Sequence, residues 1–255
     1  MDPATLIGIL VAFVIVTVAN VLEGGNPMSL MLAAPLLLVF GGTLAICVAG
    51  GTMADTKLSM KAMVRAFTSP APSGAKLVPE LVTLADKARR EGLLALEDSV
   101  ADIDDPFLVR ALTMAIDGTD PEELRDILEA QVQAKKAETK QSAKFWNAAG
   151  GYAPTIGIVG TVMGLVHVLE QLAEPEKLGH LIAAAFVATL WGVMSANLIF
   201  LPIGSRLTRL GELEVAQMEL VIEGVSALQA GSNPRLVAQR LRSLLPADQR
   251  EEEAA

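Results

Sequence analysis

The chain has 255 residues, 52% hydrophobic but only 4% aromatic, and a formal net charge of −9. That charge lacks the basic footprint of a nucleic-acid binder. A single cysteine, Cys47, excludes an internal disulfide and a cysteine-built metal cluster.

Clustering of the apolar residues says more than their total. Four uncharged runs are long enough to be read as transmembrane helices: Ala4 to Leu22, Pro27 to Gly50, Ala149 to Leu169, and Leu178 to Ile203. The first lacks the basic leader of a secretory signal and its apolar core is long, so it is expected to be retained. Of twenty lysines and arginines, none falls between the first two runs and only Lys177 between the last two. The positive-inside rule then puts the long polar stretch, the tail and both termini in the cytoplasm. The expected division is a first span over 1–23, a second over 27–50, a cytoplasmic helical domain over 51–148, a third span over 149–170, a short external loop over 171–177, a fourth span over 178–203, and a cytoplasmic helical tail over 204–255. The fold class is all-α, a polytopic membrane protein with a helical cytoplasmic domain.

The polar stretch opens with "KLSMKAMVRAF", an amphipathic segment broken by "SPAPSG". Leu77, Leu81, Leu84 and Ala88 recur at helical spacing, and Gly92 marks a joint. Asp105 with Pro106, and Asp120 with Pro121, each read as a capped helix start. The helix from Pro121 is predicted to be long and to run towards the third span, interrupted only at "NAAGGY". "NPRLVAQRLRSLLP" repeats the cap-then-proline pattern, and "DQREEEAA" reads as a frayed end.

The third run, "GGYAPTIGIVGTVMGLVHVL" from Gly150, is rich in poor helix formers. Lipid supplies no hydrophobic drive between helices, so small residues that permit close approach do the holding. Gly157, Gly160 and Gly164 fall along one side, with Thr161 near it. In the fourth run Ala184, Ala185, Ala188, Thr189, Gly192, Ser195 and Ala196 follow similar spacing, while Phe186, Leu190, Trp191 and Val193 are expected mostly to face lipid or neighbours. Pro154 and Pro202 each free a backbone carbonyl and permit bending. A lone threonine in such a helix commonly bonds its own backbone. Two on a shared small-residue face raise the case for a pathway.

Nucleotide-binding loops, zincin motifs and nucleophile elbows are missing, so the chain is read as a non-enzyme without a cofactor. His167 and His180 are isolated and read as packed or interfacial rather than metal ligands. None of the four runs holds Asp, Glu, Lys or Arg. Ion-moving proteins place an ionisable group in the membrane, so any such group must come from a partner.

"YAPTIGIVGTVMGLVHVL" and "LGHLIAAAFVATLWGVMSANLIFLPIGSRL" resemble the third and fourth membrane helices of the A subunit of the bacterial flagellar stator, the MotA/PomA family. "ADKARREGLLALED" and "NPRLVAQRLRSLLP" are similar to its charged cytoplasmic segment and its tail. The resemblance implies a ring of five A subunits in the inner membrane around two copies of a single-pass, cell-wall-anchored B subunit that supplies an aspartate. It implies that ion flow turns the ring and drives the rotor switch protein, giving motility. Thr161 and Thr189 match hydroxyls near that aspartate, and Pro154 and Pro202 match two coupling prolines. Arg89 and Glu97 match rotor-contacting charges, with Arg90 their neighbour in the same interface. Ala188 stands where sodium-driven members tend to carry a second threonine, which implies proton drive. The alternatives are an energiser of the ExbB/TolQ type, which has three membrane helices, and a solitary transporter.

Overall fold

The computed structural model describes residues 4–245, and every element among them is helical. In chain order the main helices are α1 (Ala4–Leu22), α2 (Ala33–Ala49), α3 (Met53–Thr68), α4 (Leu77–Glu91), α5 (Pro106–Ile116), α6 (Pro121–Glu170), α7 (Pro175–Gln229) and α8 (Pro234–Leu244). They form two compact units. One comprises residues up to Pro70 with Thr139–Arg209, and the other Ala71–Glu138 with residues from Leu210 onward.

The apolar unit follows the hydropathy pattern, with two differences. Among the described residues three helices, α1, α6 and α7, are long and apolar enough to cross a membrane. The run from Pro27 instead divides into a tight 3₁₀ turn, Pro27–Leu30, and the 17-residue α2. Asn26 causes the division: its side chain accepts from the Met28 amide and caps a turn with Pro27 at its first position. The second difference is "NAAGGY", through which α6 runs unbroken. Ala149 and Ala153 are fully buried, a Cβ on Gly150 would stand 2.5 Å from Leu201 Cδ2, and Asn147 lies against Gly204. Tertiary packing thus holds a helix that local propensity would not. The unit also takes in α3 and residues 139–148, which hydropathy alone had grouped with the polar stretch. Trp146 secures this by donating from Nε1 to the Ser59 carbonyl at 3.1 Å.

An aromatic chain fastens the apolar helices: Phe13 to Trp191, Trp191 to Phe40, Phe40 to Phe200, and Phe200 to Trp146. Trp191 is half-buried against neighbouring segments and donates to the Leu30 carbonyl at 2.7 Å. Its indole N–H needs a partner away from water, and the turn before α2 supplies one.

The polar unit is an amphipathic bundle. Leu81, Leu108, Leu112, Leu124, Val221 and Leu241 are fully buried in its core. Caps fall where the sequence places them: Asp105 accepts from the Phe107 and Leu108 amides, Asp120 from Glu122, and Asn233 from Arg235. Gly92 ends α4 at φ +89°, a conformation that favours glycine. Lys135 pairs with Glu214 at 3.0 Å and Lys136 with Glu219 at 2.9 Å.

Candidate functional site

α6 and α7 approach as closely as their backbones allow. A Cβ on Gly157 would stand 2.8 Å from the Ala188 carbonyl oxygen and 3.1 Å from the Gly192 and Thr189 Cα atoms. One on Gly192 would meet the Ala153 carbonyl at 2.7 Å, and one on Gly164 the Ala185 Cβ at 2.6 Å. The glycines are therefore spacing residues, as their register in the sequence predicts.

This contact brings the two threonines together. Thr161 Oγ1 and Thr189 Oγ1 are hydrogen-bonded to each other. Thr161 Oγ1 lies 3.0 Å from the Ala185 carbonyl and 3.2 Å from that of Gly157, and Thr189 Oγ1 lies 3.4 Å from the same Gly157 carbonyl. Four oxygens thus share two hydroxyl hydrogens. Both side chains are half-buried, so the cluster can be approached. A hydroxyl donates one bond and accepts two. The cluster can therefore donate to a carboxylate or accept from a carboxylic acid. Composition alone could not reveal the two carbonyls, because they are backbone atoms exposed by the glycine contact.

Ala188 is buried at 2% exposure, its methyl directed at Gly160. A Cβ on Gly160 would meet it at 2.7 Å and Leu38 Cδ2 at 2.8 Å. A threonine at 188 would need room at this contact. Pro154 lies inside α6, its Cα 3.3 Å from where a Gly192 side chain would begin, next to the close contact. Having no N–H, it leaves the Gly150 carbonyl without its helical donor. Pro202 is placed differently. It follows a π-turn at Ala196–Phe200 and lines a groove with α1. Thr155 donates to the Tyr152 carbonyl at 2.8 Å, a local bond. At the end of α6, exposed His167 receives Gln171 Nε2 at 3.2 Å and donates from Nδ1 to Glu170 at 3.2 Å.

The outer face of α6 is an unpartnered apolar stripe: Ile158, Val159, Val162, Met163, Val166 and Leu169 are all more than half exposed. In the polar unit Arg89, Arg90 and Glu97 are exposed around the Gly92 turn. Arg90 pairs with Asp86 at 2.8 Å, while Arg89 and Glu97 have no ion-pair partner among the described residues. Lys87 Nζ donates to Ser99 Oγ at 2.8 Å and ties the end of α4 to the turn that begins at Glu97.

Residues 6–92 match the family model "Motility protein A N-terminal", and residues 99–220 match that of the MotA/TolQ/ExbB proton channel family. The chain is 38% identical to motility protein A of Bacillus subtilis over 251 residues, covering 98% of this chain and 93% of the relative. The chain belongs to the MotA/PomA family. The fold agrees. The flagellar MotAB stator complex of B. subtilis superposes with a TM-score of 0.91 at 37% identity, over 99% of this chain and 100% of that one. The C. jejuni MotAB structure gives 0.93 at 30% identity, over 97% of each. As a member of the MotA/PomA family the chain is an ion-conducting subunit of the flagellar stator and not an enzyme.

Proposed function

We propose that this subunit passes protons past the Thr161–Thr189 pair to and from a carboxyl group supplied by a single-pass MotB-like partner. The observation that carries the reading is the four-oxygen cluster in a pair of apolar runs without any Asp, Glu, Lys or Arg. The ionisable group must then be borrowed, and the exposed stripe on α6 is a surface on which a partner helix can lie. When the partner carboxylate is charged, the two hydroxyls turn to donate to it. When it takes a proton, the acid donates into the carbonyls or hydroxyl lone pairs. The cluster serves both states, so the proton exchanges without a large rearrangement. Ala188 adds no third side-chain oxygen, which weakens a sodium site and leaves a carboxylate free to be protonated.

In the same reading all four apolar runs cross the inner membrane with both termini and the polar unit in the cytoplasm. Five copies ring two partner copies. Pro154, beside the Gly157–Gly192 contact, and Pro202, beside the π-turn, let α6 and α7 bend as the carboxyl changes charge. Exposed Arg89, Arg90 and Glu97 meet the rotor switch protein.

The test is gentle solubilisation from the native membrane and mass spectrometry of what purifies with the chain. The reading predicts a single-pass protein with an aspartate in its membrane helix and a cell-wall-binding domain. A partner that reaches towards outer-membrane receptors would favour the ExbB/TolQ-type alternative, and no partner at all would remove the carboxyl on which the mechanism depends.

A further inference from the structure

A groove of about 470 Å³ lies between the first half of α1 and the part of α7 formed by its π-turn and the turns that follow it. Its walls are apolar along Gly8, Ile9, Ala12 and Leu198, and Arg206 and Arg209 stand among its lining. No atom of the chain lies within 4 Å of where a Gly8 side chain would begin, so the groove is open at that point. Thr5, Asn197, Ser205 and the arginines can hold water, but the strip along Gly8, Ile9 and Ala12 gives it no polar partner. An aliphatic chain suits that strip. The guanidiniums call for an anion at the same site. Each already engages the chain, and with five N–H donors a guanidinium can serve a phosphate as well. A second copy is a poorer occupant, since the exposed stripe of α6 is uncharged and offers nothing to the arginines.

We infer that this groove is a phospholipid site, with one acyl chain along Gly8, Ile9 and Ala12 and an anionic headgroup at Arg206 and Arg209. The leaflet follows from the proposed orientation and is the cytoplasmic one, where anionic lipid attracts basic groups. Occupancy itself does not depend on that orientation. Because Pro202 also lines the groove, the lipid would lie against one of the two residues proposed to couple ion flow to movement.

The full-length chain, with whatever purifies with it, is placed in nanodiscs of phosphatidylglycerol and phosphatidylcholine, extracted into mild detergent and read by native mass spectrometry. The wild type is expected to retain phosphatidylglycerol in preference to phosphatidylcholine. Gly8→Leu starts a side chain where an added Cβ meets nothing within 4 Å, occupies groove volume, and is expected to cut retention about tenfold. Arg209→Gln is expected to keep a lipid but reduce the preference for phosphatidylglycerol about fivefold. Unchanged retention in Gly8→Leu would overturn the inference. So would cross-linking of a Gly8→Cys, Cys47→Ala chain to a second copy, which would assign the groove to subunit packing. The lipid is counted without reference to ion flow or motility, so a failure of the stator mechanism would leave this answer intact.

Discussion

Two hydroxyl hydrogens serve four oxygens at Thr161 and Thr189, and that imbalance is the chemistry of the site. A hydrogen bond to a charged group contributes about 1.5–3 kcal/mol, or tenfold and more in an equilibrium or rate. Thr161→Ala and Thr189→Ala are therefore expected to slow ion conduction at least about tenfold, while Thr→Ser at either position keeps most of it. Flux measured in vesicles that contain the chain and its partner checks this; full activity in both alanine variants would reduce the pair to packing. The threonines and the glycine register were legible in the sequence, because spacing alone puts them on one face. The Gly157 and Ala185 carbonyls were not, since nothing in a sequence marks which backbone oxygens a close helix contact will leave at a site.

At the scale of the element, the close approach of α6 and α7 sets the site's dimensions. Gly157→Ala would press a methyl onto the Ala188 carbonyl and onto two Cα atoms, none of which can move alone. The helices must separate, at a cost of about 1–3 kcal/mol. Thermal unfolding in detergent should show the loss, together with reduced conduction from a widened oxygen cluster. Glu80, near the start of α4, gives a second test. Partial burial, and then the charges of Asp105 and Asp104, hold its carboxyl above the usual carboxylate range. The folded chain holds the Glu80 proton more tightly than the unfolded chain does, so its ionisation opposes folding above the raised value and the penalty is relieved as pH falls through it. Glu80→Gln is expected to melt higher than wild type at neutral pH, with the difference closing in mild acid. A constant difference across that range would assign the effect to packing. Helix starts were the most legible elements, because Asp105, Asp120 and Asn233 each stand before a proline and accept from the amide that follows it. The continuity of α6 through "NAAGGY" was hidden, since it depends on contacts with Leu201 and Gly204, remote in sequence. The shortening of the second run was hidden for another reason: hydropathy counts Pro27 to Leu32 as apolar and does not register the Asn26 cap, which sets a 3₁₀ turn at the start of the run so that the helix begins only at Ala33.

At the scale of the molecule, the chain joins an apolar unit whose four apolar runs hold hydroxyls but no Asp, Glu, Lys or Arg to a polar unit that presents charged side chains around Gly92. The sequence made this division plain through its lysine and arginine distribution, though α3 and residues 139–148 join the apolar unit through packing that hydropathy does not record. In the proposed mechanism a borrowed carboxyl binds the ion, the threonine pair exchanges the proton, and the exposed turn delivers force. The measurement that tests it most directly is swimming speed in cells that carry the native chain, with external sodium varied at fixed pH and the proton gradient varied at fixed sodium. Speed is expected to follow the proton gradient and to be indifferent to sodium. Speed that followed sodium at constant pH would contradict it, because a site with two hydroxyls and alanine at 188 would then be holding a metal ion rather than passing a proton.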